Sequence, residues 1–200
     1  MKKHIIILVN ALLVFVYSSN AQKKVGEFSW QGSFPTGEFN DFIGKFNAMG
    51  LNFQGRMYLS NDRTSVGGSI SFFYFQDKKG TVTVDAPNGG ALTGDITTFT
   101  NIYGLQAIIQ HDFKDKGEKA VPFVRAGLGG AYQDQKTWGG VYEIQNDGVQ
   151  FMANGEAGVR IGTKTKSVVL AATYHYLPSA ADMVSTSFFG IKVGITYFKY

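Results

Sequence analysis

The chain has 200 residues, contains no cysteine and carries a formal net charge of +4. Charged residues make up only 17% of the sequence, against roughly 25% in ordinary soluble domains, whereas glycine and aromatic residues are abundant. The absence of cysteine excludes disulfides, thiolate metal sites and a lipoprotein-type lipid anchor. Because no basic stretch alternates with aromatic residues, we do not expect nucleic acid as a partner.

The first segment, residues 1–21, has the pattern of a secretory signal peptide. Two lysines precede an apolar run over 5–17, and small residues follow it up to Ala21. This run is too short for a transmembrane helix, which needs about 20 apolar residues. We therefore predict cleavage after Ala21, which leaves a single domain over 22–200.

Beyond this segment the sequence alternates apolar and polar residues eight times, as β-strands do when their two faces meet different surroundings. The predicted strands span 27–34, 49–59, 65–75, 99–113, 120–133, 149–161, 167–177 and 187–200. Most of them are long enough for a tilted membrane crossing, which takes about 9–11 residues. The first strand is the shortest and is expected to begin earlier.

The two faces of each strand differ in composition. Along the chain, the apolar faces carry Phe28, Trp30, Leu51, Phe53, Ile70, Phe72, Leu105, Ile109, Val124, Leu128, Phe151, Val159, Val168, Leu170, Ile191 and Ile195. The opposite faces carry mostly Ser, Gly, Gln, Asn and Thr, with single charges. The alternation is weakest in the fourth strand, where Ile102 and Ile108 lie on the polar face.

The connections between the predicted strands alternate in length. The long ones are 35–48, 76–98, 134–148 and 178–186, and the short ones are 60–64, 114–119 and 162–166. Outer-membrane barrels have short periplasmic turns and longer external loops. We therefore predict an all-β, eight-stranded, antiparallel up-and-down transmembrane β-barrel, with both ends of the domain in the periplasm.

A soluble barrel of the lipocalin type also alternates, but its apolar face points inward. A water-exposed exterior is rich in lysine and glutamate, whereas the small polar residues found here suit a narrow barrel interior. Aromatic residues near the strand ends are predicted to mark the two membrane interfaces: Phe34, Tyr58, Phe99, Phe113, Tyr132, Tyr176, Phe189 and Tyr197. The expected location is the outer membrane, in contact with its lipid and lipopolysaccharide.

Several short motifs resemble the family of small outer-membrane barrels that includes OmpA-like, OmpX-like and opacity-protein-like domains. VPFVRAGLGGAY at 121–132 looks like the fifth strand of that family, GEAGVRIG at 155–162 like the sixth and LAATYHY at 170–176 like the seventh. FPTGEF at 34–39 resembles the first loop of barrels from the Bacteroidetes group. The resemblance implies that the barrel-assembly machinery reads the terminal aromatic residue, Tyr200, although Tyr200 is out of phase with the apolar face of its strand.

Little in the sequence points to catalysis. His175 is predicted to face inward near the external end of strand seven, where a rim site could be imagined. The resemblance includes enzymes that modify lipid A, and the deacylase type pairs a histidine with a serine two residues later. Leu177 occupies that position here. We therefore interpret His175 as an interior or rim polar residue, and we predict no catalytic residue, cofactor or metal site.

The inward faces of strands five to eight are predicted to share a polar network. Hairpin pairing places Arg125 level with Glu156, with Lys192 or Arg160 as alternative partners of the pair. Charges in a narrow interior should pair because isolated ones are poorly hydrated. The network is therefore expected to plug the lumen at about mid-height and to allow little or no steady conductance.

Three classes of function remain open at this point. The first is a non-enzymatic outer-membrane barrel that stabilises the envelope, binds partners through its loops or passes very small solutes. The second is a lipid A-modifying outer-membrane enzyme. The third is an adhesin or an accessory barrel of a secretion system. The external loops are long enough to bind a ligand, but their sequences identify none.

Overall fold

A computed structural model describes residues 24–85, 91–115, 118–139, 142–163, 165–180 and 183–199. The predicted signal peptide and Tyr200 lie outside the described residues. The strands are β1 Lys24–Thr36, β2 Asn47–Tyr58, β3 Thr64–Asp85, β4 Ala91–Asp112, β5 Ala120–Gly139, β6 Tyr142–Gly162, β7 Lys166–Leu177 and β8 Thr186–Lys199. One short helix, α1 Glu38–Phe42, follows β1. Among the described residues, no helix is long and apolar enough to span a membrane.

The eight strands form one closed barrel in which each strand pairs antiparallel with the next. The ring closes between β1 and β8, where Phe28 lies opposite Ile195. This confirms the predicted up-and-down, eight-stranded architecture. The first strand begins earlier than 27, at Lys24, as expected from its short predicted length.

The outer surface of the barrel is apolar because paired residues share a face and the apolar faces all point outward. Phe28, Phe53, Ile70 and Leu105 lie in one row across β1 to β4. Leu105 has 66% of its surface exposed and Ile70 has 62%. The small polar side chains lie inside, including Ser29, Gln54, Ser69, Gln106 and Thr196. A soluble barrel would have the reverse arrangement.

The prediction that 76–98 and 134–148 are loops is wrong. Most of 76–98 and 134–148 continues as paired strand, so that β3 with β4 and β5 with β6 form long hairpins. Thr81 donates a hydrogen bond of 2.6 Å to Asp95, and the hydroxyls of Thr83 and Thr93 are 2.8 Å apart. The polar composition of these stretches predicts loops, but β-branched threonines and cross-strand pairs stabilise strands without an apolar face.

One predicted interface aromatic residue is also misplaced. Tyr58 points into the barrel and is buried, whereas Phe34, Phe113, Tyr132, Tyr176, Phe189 and Tyr197 face outward and are exposed. Its even number puts it on the polar face of β2, together with Asn52, Gln54 and Arg56. Tyr58 was predicted at the interface because it lies near the end of the strand, although its face of the strand is the polar one.

Candidate functional site

The centre of the lumen is occupied by a cluster of charged side chains. Arg125 on β5 and Glu156 on β6 are direct partners in the ladder, and Arg125 Nη1 lies 2.7 Å from Glu156 Oε2. The same guanidinium spans the lumen to Glu27 on β1, with Nη2 2.8 Å from Oε2 and Nη1 3.1 Å from Oε1. One arginine therefore joins opposite walls of the barrel.

Further side chains surround this pair. Lys192 Nζ lies 2.5 Å from Glu156 Oε2 and 3.7 Å from Glu27 Oε1. Arg56 Nη2 donates to Glu27 Oε2 at 2.8 Å. The amide oxygen of Gln110 accepts hydrogen bonds from both Arg56 and Arg125. All of these side chains are buried, so the cluster fills the cross-section of the lumen.

Arg160 does not pair with Glu156, although the sequence leaves it open as an alternative partner. Its Nη2 lies 2.9 Å from Asp112 Oδ2, and its Nη1 donates to the Tyr58 hydroxyl at 3.2 Å. Tyr58 in turn donates to Asp112 at 2.6 Å. Arg160 lies two inward positions beyond Glu156 toward the short-turn end of β6, which puts it in a separate group connected to the first through Gln110.

Sequence reasoning missed five residues of these clusters: Glu27, Arg56, Tyr58, Gln110 and Asp112. Glu27 and Arg56 are the lone charges on the inward faces of β1 and β2, which is the signal that could have identified them. Their partners come from across the lumen, and period-two alternation contains no information on which strands face each other there.

The end of the lumen at the long hairpins contains an apolar core, whereas we expect polar side chains throughout the interior. The apolar core consists of the buried side chains of Phe39, Ile43, Phe73, Phe75, Ile102, Ala131, Met152, Leu177 and Phe188. The polar side chains of Thr100, Gln133 and Thr186 are buried at the same end. Phe188 packs edge-on against Phe73 and Phe75, with ring centroids 5.0 and 5.1 Å apart. Two of the core members, Phe39 and Ile43, come from α1 and the residue that follows it, so the first connection folds back into the barrel mouth.

Polar contacts fasten this first connection to β3 and to the β7–β8 connection. Asp77 Oδ1 lies 2.8 Å from Lys45 Nζ, and Asp77 Oδ2 accepts the Gly44 amide at 3.1 Å. Burial alone would raise the pKa of Asp77, but the Lys45 ammonium and the Gly44 amide outweigh it and hold the pKa below its usual range. On the other side, the Ser185 hydroxyl donates to Glu38 at 2.7 Å.

His175 lies between the apolar core and the charged cluster, well inside the barrel. Its ring stacks on Phe188 at 4.6 Å and meets Phe73 edge-on at 4.9 Å. Neither ring nitrogen has a hydrogen-bond partner among the described residues. The ring is fully buried. Among the described residues, no cluster of acidic or histidine side chains could hold a metal ion.

A scan against protein-family models finds no match, and neither does a search of curated proteins. The structure is similar to that of Neisserial surface protein A, NspA, with a TM-score of 0.52 at 10% identity, covering 88% of this chain and 96% of that one. Ail, the attachment invasion locus protein of Yersinia pestis, gives 0.49 at 14% identity over 89% and 98% of the two chains.

The N-terminal β-barrel domain of Pseudomonas aeruginosa OprF gives a TM-score of 0.43 at 17% identity, covering 88% of this chain and 99% of that domain. These similar structures are small outer-membrane barrels. NspA alone among the three has a TM-score above 0.5, and at 10% identity the likeness shows a shared fold.

Proposed function

We propose that this chain is an integral outer-membrane barrel without enzymatic activity that serves as a closed structural element of the envelope. The observation that carries the proposal is the inverted arrangement of the barrel. Large apolar side chains cover its outside, while charged and polar ones fill its centre. So much exposed apolar surface is stable only when lipid covers it.

The filled lumen supports a structural role over a transport role. At mid-height, Arg125 joins both walls through Glu27 and Glu156, and nearer the external mouth Phe73, Phe75 and Phe188 pack together. An eight-stranded barrel is only just wide enough for side chains to fill. A solute would therefore have to displace buried ion pairs and an apolar core. The burial of His175 is consistent with a non-enzymatic role.

Two measurements test this function. After expression in a Gram-negative host, the protein should fractionate with the outer membrane, and recovery as a soluble periplasmic protein without detergent would contradict the proposal. Leu170→Arg or Ile191→Arg should destabilise the barrel by about 2–4 kcal/mol in a lipid-refolding titration. Leu170→Val and Ile191→Leu are the matched controls and should be close to wild type. A neutral effect of arginine would mean that this face does not contact lipid.

Binding at the cell surface is a second candidate function. The long β3–β4 and β5–β6 hairpins extend beyond the other strands at the end opposite the short turns. Tyr142 and Ile144, on the second hairpin, are 62% and 60% exposed. Replacing both by serine should leave fractionation and refolding unchanged while reducing adhesion of cells that display the protein. Unchanged adhesion in this variant would remove the support for this candidate.

A further inference from the structure

The outer wall of the barrel contains a furrow at the level of three outward-facing glycines. Gly26 on β1, Gly55 on β2 and Gly68 on β3 are consecutive partners across the sheet. The depression has a volume of about 640 Å³. Its apolar lining also includes Phe28, Phe53, Ile70, Leu105 and Tyr197.

The fold does not require glycine at two of these positions. A Cβ atom built on Gly26 or on Gly55 would have no neighbour within 4 Å, and neither residue has a positive φ. Glycine inside a strand also weakens it, because it adds backbone entropy and has no side chain to pack. The open space at Gly26 and Gly55 is therefore not explained by crowding or by backbone conformation.

Three lysines lie at one end of the furrow, on the side of the short turns. Lys166 is the ladder partner of Tyr197, and Tyr197 is the partner of Gly26. Lys24 and Lys199 form the next pair along β1 and β8. All three lysines are exposed, and within the described part of the chain no acidic residue forms an ion pair with any of them. Lys166 Nζ lies over the Tyr197 ring, 5.7 Å from its centroid.

The grouping of three lysines at one end of the furrow favours the binding of an anion there. Lys24 and Lys199 lie directly opposite each other on β1 and β8. Like charges in this position destabilise an antiparallel pair. Clusters of basic residues beside an apolar membrane surface attract anionic lipid headgroups. The outward side chains that line the furrow are hydrocarbon and aromatic, so the part of a ligand that lies in it has to be apolar.

We propose that the furrow holds a hydrocarbon chain of an anionic phospholipid whose phosphate lies among Lys24, Lys166 and Lys199. The inference rests on the proposed function, because the furrow must face the bilayer. It specifies the leaflet as well: the short turns face the periplasm in that function, so the lipid belongs to the periplasmic leaflet. The contact would give this side of the barrel a defined lipid neighbour.

Native mass spectrometry of the folded, signal-free chain in detergent tests the proposal, with phosphatidylglycerol and phosphatidylcholine of identical acyl chains as probes. Wild type should prefer phosphatidylglycerol, on the order of fivefold for each lysine at low ionic strength. The triple variant Lys24→Gln, Lys166→Gln, Lys199→Gln should lose the preference, and the corresponding triple arginine variant should keep it.

A second part of the experiment fills the furrow with a leucine side chain. Gly55→Leu should reduce the retention of both lipids, whereas Gly155→Leu, at an equally open outward position on β6, should not. Heat-dependent migration on SDS gels checks that each variant is folded. Equal retention of the two lipids by folded wild type, or equal behaviour of the two leucine variants, would overturn the lipid site. Neither result would affect the outer-membrane function, which fractionation tests separately.

Discussion

Arg125 and Glu156 lie directly opposite each other on β5 and β6, and the same Glu156 oxygen that meets Arg125 at 2.7 Å also meets Lys192 at 2.5 Å. One carboxylate therefore contacts two cations in a space without room for free hydration. Breaking such a pair leaves an uncompensated buried charge, which costs more than the intact pair contributes. Glu156 is for this reason a sensitive position in the lumen, as is Glu27, which contacts Arg56, Arg125 and Lys192.

Glu156→Ala should destabilise the barrel by about 3–5 kcal/mol, because two buried cations lose their shared partner. Urea unfolding in lipid vesicles, followed by tryptophan fluorescence, measures the change. The double variant Glu156→Ala, Lys192→Met should recover part of the loss, since only Arg125 is then left without Glu156. If Glu156→Ala were as stable as wild type, the lumen would be hydrated enough to accept separate charges.

The extent to which these features follow from sequence depends on how local they are. Phe53 and Leu105 were assigned to the outer face from alternation alone, and both are exposed there. That Arg125 and Glu156 lie at the same height in the barrel followed from the pairing of the single β5–β6 hairpin. The contact of Glu27 with Arg125 joins strands on opposite sides of the barrel, so it depends on barrel shear, which alternation does not specify.

His175 should be replaceable by phenylalanine. Its ring stacks on Phe188, and both ring nitrogens are buried without a hydrogen-bond partner among the described residues. A buried polar group without a partner costs free energy that an apolar ring of similar shape avoids. His175→Phe should therefore unfold at the same or a higher urea concentration than wild type.

The same position tests the enzyme alternative in living cells. Cells that express His175→Ala should have the same lipid A pattern by mass spectrometry as cells that express wild type, because the ring lies inside the barrel and not at its rim. The empty vector is the control for both. An acyl chain gained or lost only with wild type would revive a lipid A-modifying activity.

The contact between Asp77 and the first connection should respond to acid. Asp77 lies beyond the outward apolar residues of β3, which end at Tyr74, and its pKa is held low although burial alone would raise it. A lowered folded-state pKa stabilises the fold above the unfolded value of about 3.9, and this contribution is lost as the pH falls through the folded pKa.

NMR of the protein in micelles can detect this titration. The Gly44 amide, which donates to Asp77, should shift with a midpoint below about 3.9, the ordinary aspartate value. Asp77→Asn should abolish the shift, and the amide of Gly155, far from Asp77 on β6, serves as the internal control. A midpoint at or above the ordinary value would mean that Lys45 and Gly44 do not stabilise the carboxylate in solution.

Two physically different barriers close the lumen in series, so opening one of them should not produce a channel. Wild type in planar bilayers should show little or no steady conductance. The double variant Phe39→Ala, Phe188→Ala weakens the apolar barrier at the long-hairpin end but leaves the charged cluster intact. The double variant Arg125→Ala, Glu156→Ala removes a neutral pair, while Glu27 remains paired with Arg56 and Lys192. Each of these double variants should remain closed, whereas the fourfold variant should conduct. Large, stable channels from wild type, or from the Phe39→Ala, Phe188→Ala variant alone, would show that the charged cluster is a hydrated pore lining and not a barrier.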